Sequence, residues 1–61
     1  MANLTAKELT ALEDTIGAEQ MLIKKHRAMA SMCADPQVQQ SLNEFAQKHQ
    51  QHYDTLMTFL Q

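Results

Sequence analysis

The chain has one cysteine, Cys33, one proline, Pro36, and one glycine, Gly17, in 61 residues. A lone thiol excludes an intramolecular disulfide, so no covalent staple can make up for the small core that a chain this short can bury. A single glycine excludes a glycine-rich phosphate loop, and there is no CxxC pair and no Ser/His/Asp arrangement. Aromatic residues are scarce, at 5%. Excess positive charge is missing too: the formal net charge is -2 and the isoelectric point is about 5.8, the wrong sign for a protein that binds nucleic acid through its phosphates. Lys24, Lys25 and Arg27 form a short basic cluster, but two of the three fall off the apolar stripe and are expected in solvent. No run of about 18 apolar residues occurs, so no segment is expected to span a membrane. The opening Met-Ala-Asn-Leu-Thr-Ala-Lys-Glu is no charged leader followed by an apolar stretch, which predicts a cytoplasmic chain without a signal peptide.

What remains is helical. Leu9, Leu12, Ile16, Glu19, Ile23, His26, Ala30 and Cys33 recur in alternating steps of three and four, and so do Val38, Leu42, Phe45, His49, His52, Leu56 and Phe59. That alternation marks helices that pack along a core-facing stripe. Ala11, Ala18, Leu22 and Met29 widen the first stripe; Ala46, Tyr53, Met57 and Leu60 widen the second. Thr5-Ala-Lys-Glu8 reads as a capping box, and Asp35-Pro36 as an N-cap followed by a proline at the first helical position. The expected helices run from about residue 6 to 33 and from about 36 to 60, in one domain covering residues 1–61. A connection this short makes them antiparallel neighbours. The apolar faces are too wide for one partner helix, which predicts an all-α hairpin that dimerises into an antiparallel four-helix bundle. Gly17, beside Ile16, either lets a neighbouring helix approach or lies at the surface.

Glu19, His26, His49 and His52 stand where leucines are expected. In an antiparallel hairpin Glu19 falls opposite residue 50, level with His49 and His52, whereas His26 falls opposite residue 43, two turns or about 10 Å away. His-x-x-His sets two imidazoles on one helical face, and a carboxylate from the facing helix completes a two-His, one-carboxylate set suited to a divalent transition metal such as Zn or Fe. The same three residues can instead form a metal-free network in which the carboxylate accepts from both rings and fixes register. His26 reads as a core-edge histidine bonded to Asn43 or Glu44. Cys33 reads as a small buried hydrophobe, the methionines as core filler or interface, and Tyr53 as a packing residue beside the polar layer.

Leu9, Leu12 and Glu19, the connection Met32-Cys33-Ala34-Asp35-Pro36, and the run Gln47-Lys48-His49-Gln50-Gln51-His52 together resemble half of a ferritin-like bundle, in particular the small spore coat protein F type. In ferritin-like metal proteins a Glu on one helix pairs with Glu-x-x-His on the next. By that resemblance Glu19 takes the first place, His52 the motif histidine, and His49 stands where the motif has glutamate. An imidazole there implies separate Zn, Co, Ni or Cu(II) ions and not an oxygen-activating di-iron pair. The coat family implies a non-enzymatic structural protein of the endospore coat, assembled with other coat proteins. The leading expectation is therefore a homodimeric structural or assembly module. The alternative is a divalent-metal protein built on Glu19, His49 and His52. A third idea, an adaptor helix pair that binds a groove on another protein, requires a stable monomer.

Overall fold

Thr5 starts the first helix. Its hydroxyl accepts from the Glu8 backbone N–H at 3.1 Å, and the Glu8 carboxylate accepts from the Thr5 N–H at 3.0 Å, so two otherwise orphaned donors are satisfied reciprocally. The computed structural model describes residues 3–61, and these form α1, Ala6–Met32, and α2, Pro36–Thr58, folded back as a helical hairpin. Cys33 closes α1 in extended geometry. Asp35 opens α2: its Oδ1 accepts from the N–H groups of Gln37 and Val38 at 2.8 and 3.3 Å. The turn needs no left-handed residue, since none of the described residues has a positive φ. The Gln39 side-chain amide donates to the Ala30 carbonyl at 3.0 Å, beside the Cys33 N–H that the same carbonyl accepts at 3.2 Å, which ties the start of α2 to the end of α1. The second helix stops at Thr58, two residues short of the expected end, because Phe59 and Leu60 take up a tighter terminal turn.

From Leu12 onward the first stripe is the inner face of α1: Ile16, Glu19, Ile23 and Ala30 are buried and Leu12 and His26 partly covered, whereas Leu9, expected on the same stripe, is exposed where α1 begins. The second is rotated from expectation. Ala46 is the one fully buried position of α2, with Gln39, Leu42, His49, Tyr53, Leu56 and Leu60 partly covered along the same line. Val38, Phe45, His52 and Phe59 lie outside. Both lines are apolar at heptad spacing. The small Ala46 side chain is 1% exposed against α1, and the bulkier line, one residue earlier in each heptad, is turned away by about 100° of helical rotation.

That rotation gives the hairpin two unlike sides. On one, Val38, Phe45 and Phe59 are 47%, 48% and 47% exposed, in line with His52, and Met29 of α1 is also exposed. On the other, Gln20, Lys24, Arg27 and Gln50 line an open hollow floored by Ile23 and Tyr53. Among the described residues four apolar side chains are buried, Ile16, Ile23, Ala30 and Ala46. The radius of gyration is 14.3 Å, against about 10.5 Å for a compact domain of this length.

Candidate functional site

Glu19 projects from the middle of α1 between the two histidines of α2. The His49 Nδ1–H donates to Oε1 at 2.6 Å and the His52 Nδ1–H donates to Oε2 at 3.0 Å, so each carboxylate oxygen has its own imidazole. The Glu19 side chain is 10% exposed, His49 24% and His52 60%. The site is therefore closed at its carboxylate and open at His52, on the side that carries Phe45 and Phe59. A hollow lined by Thr15, Glu19, His52, Thr55 and Leu56 adjoins it there. The predicted level is met: Glu19 bonds to residues on either side of position 50.

Burial pushes the Glu19 carboxyl up, but the hydrogen bonds and charge attraction of His49, then of His52, outweigh it and hold the group below its ordinary value of 4.5. It is an anion at neutral pH, buried but doubly bonded. Among the described residues no buried side-chain nitrogen or oxygen lacks a hydrogen-bond partner, as a satisfied polar layer requires.

One ligand atom from each of Glu19, His49 and His52 lies within 4.8 Å of the others. Tetrahedral coordination at 2.0–2.2 Å would set ligand atoms about 3.3 Å apart. The observed contacts of 2.6 and 3.0 Å, made to different carboxylate oxygens, would open by about 0.7 and 0.3 Å, and ligand atoms that lie within 4.8 Å of one another would draw to about 3.3 Å, a movement available to the exposed His52. In the bonded state the Nδ1 atoms carry protons. Coordination through them requires the other tautomer, with the proton on Nε2, so the network and a metal bound this way are alternative states of one constellation.

His26 is not two turns away from this layer. Its ring centroid is 5.4 Å from that of His49 and 6.0 Å from that of Phe45, and His49 lies 5.7 Å from His52, which makes a ladder of four rings. Nor does it bond Asn43 or Glu44: its Nδ1–H donates to the Leu22 carbonyl one turn back on its own helix, at 2.7 Å. Side chains lean toward the N-terminus of their helix. His26 on α1 and His49 on the antiparallel α2 therefore lean toward each other and close a gap that backbone levels alone leave open. Cys33 is half-buried at the end of α1, and Tyr53 faces the hollow on the opposite side.

Comparison of the chain with protein-family models, with curated proteins and with solved structures finds no match. No described helix is long and apolar enough to cross a membrane.

Proposed function

We propose that this chain is a non-enzymatic structural or assembly module that acts as a homodimer, two hairpins closing into an antiparallel four-helix bundle of ferritin-like form. The observation that carries the reading is the exposed line of Val38, Phe45 and Phe59, which includes His52 and is flanked by Met29, on a hairpin whose described residues include four buried apolar side chains. Its size fits a second copy. The accessible surface is 4687 Å², whereas a compact monomer of 6.9 kDa should expose about 4000 Å². The excess of roughly 700 Å² is close to the ~800 Å² that each partner buries in a standard stable interface. A C2 pair matches this apolar side to its own copy and leaves the Lys24/Arg27 side in water. The resemblance to the spore coat protein F type supports a setting in the endospore coat, where other coat proteins would be its partners.

Sedimentation equilibrium tests the assembly. The expected result is a dimer at micromolar concentration that Phe45→Asp with Phe59→Asp converts into a helical monomer. A wild-type chain that remains monomeric at hundreds of micromolar would overturn the reading and favour the adaptor.

A second reading has its own observation. The convergence of Glu19, His49 and His52 supports a site for Zn or another divalent transition ion within the same module. Native mass spectrometry of protein purified without chelator or nickel resin tests it. Stoichiometric ion on the wild type and none on Glu19→Gln is the expected outcome; a bare chain after Zn(II), Fe(II) and Cu(II) are offered would leave only the hydrogen-bonded layer.

A further inference from the structure

We propose that ion binding at Glu19, His49 and His52 and the pairing of two hairpins form one linked equilibrium, each strengthening the other. The inference rests on both readings above and goes beyond them, because a dimer and an ion site can coexist without influencing one another. Their link is His52. It is the third member of the constellation, bonded to Glu19 Oε2 at 3.0 Å, and it also stands in the exposed line between Phe45 and Phe59, with its side chain 60% open. One imidazole thus belongs to the site and to the face that a second copy would cover.

Three physical terms give the coupling its sign. The first is order. An exposed imidazole held by a single hydrogen bond keeps much of its rotamer freedom, and pairing must remove it; coordination removes it beforehand. The second is desolvation. Glu19 is already buried with two imidazoles as its hydrogen-bond partners. Pairing withdraws more water from that carboxylate, and a divalent cation coordinated to it offsets the loss more fully than hydrogen bonds alone. The third is the open coordination position. Three protein ligands leave a fourth place on a tetrahedral ion, and the hollow that adjoins the triad, lined by Thr15, Thr55 and Leu56, opens on the apolar side. A second hairpin seated there closes the hollow over the ion and slows its exchange with water.

Linkage is reciprocal: if the ion tightens the dimer by some factor, dimerisation tightens the ion by the same factor. A residue that touches no ligand must then influence ion affinity. Phe59 is such a residue, two helical turns beyond His52 on the same line.

The experiment uses the full chain, stripped with chelator and dialysed, with Zn(II) as the probe. Dimer dissociation is measured by sedimentation equilibrium with and without one Zn(II) per chain, and Zn(II) affinity by competition with a chromophoric chelator. Zn(II) should tighten the dimer by about tenfold or more. His52→Ala should lose that shift: its dimer dissociation constant, measured against its own metal-free value, should be the same with and without Zn(II). Phe59→Asp should weaken the dimer and weaken Zn(II) binding with it. A dimer that takes up Zn(II) stoichiometrically with an unchanged dissociation constant would overturn the linkage and leave both earlier readings intact. A dimer that takes up no Zn(II) would overturn the linkage together with the metal reading. A monomer that binds Zn(II) and stays monomeric would overturn it together with the assembly reading.

Discussion

Gly17→Ala is the sharpest test of which side of the hairpin pairs. Gly17 lies inside α1 at ordinary helical dihedrals, and a Cβ built there meets nothing within 4 Å. Alanine is therefore free of strain, and the substitution recovers the helix-propensity difference, about 0.8–1 kcal/mol per chain. The unfolding entropy is about 2.1 cal/mol/K per residue. For 61 residues that comes to roughly 0.13 kcal/mol/K, so the melting temperature should rise by roughly 6–8 °C. About 100° of helical rotation separates Gly17 from the buried Ile16, in the direction away from the Phe45/Phe59 side, so the dimer dissociation constant should not change. Circular dichroism melts at matched chain concentrations, with sedimentation equilibrium beside them, read both quantities. A lower melting temperature with a weakened dimer would show that a neighbouring helix packs against Gly17. It would refute the assignment of the Val38–Phe45–Phe59 side as the pairing face.

Two further outcomes follow from the packing and the charge. Glu19 titrates below 4.5 in the folded chain, so the unfolded state binds more protons around and below that pH. The stabilisation is complete above 4.5 and is lost as pH falls through the folded value. The stability gap between wild type and Glu19→Gln, from urea melts at pH 5.5 and pH 3, should therefore narrow on acidification; an equal gap at both would count against an ionised, hydrogen-bonded Glu19. Ala46 is 1% exposed in the face of α2 that meets α1, which leaves little space for a larger side chain. Ala46→Leu should cost about 1–3 kcal/mol, while Ala28→Leu on the exposed back of α1 should change little, and similar urea midpoints for the two would refute that packing.

Much of this arrangement was legible from local chemistry. The Thr5–Glu8 box and the Asp35-Pro36 start depend on hydrogen bonds within four residues, and both helices begin where those bonds place them. Glu19 was matched to His49 and His52 because a short turn sets which backbone levels face each other. Two features depended on information that periodicity does not carry. The residues Val38, Phe45 and Phe59 and the residues Ala46, Tyr53 and Leu60 are heptad lines of similar apolar character. Which one turns inward is decided by side-chain volume at the helix contact, and there Ala46 prevails. Backbone rise alone sets His26 about 10 Å from the site. The lean of side chains toward each helix N-terminus brings its ring to His49, a correction available in principle from geometry but not from spacing.

The connection between the helices also governs what the chain cannot become. Cys33 and Asp35 are extended, and Pro36 holds the preceding residue out of helical geometry. Without that proline, α1 and α2 could merge into one rod about 80 Å long at 1.5 Å per residue, whose Glu19 would meet the histidines of another molecule instead of its own. Such rods exchange halves and, with either end free to find a new mate, grow into chains. One pyrrolidine ring thus helps keep the Glu/His contacts within a single molecule.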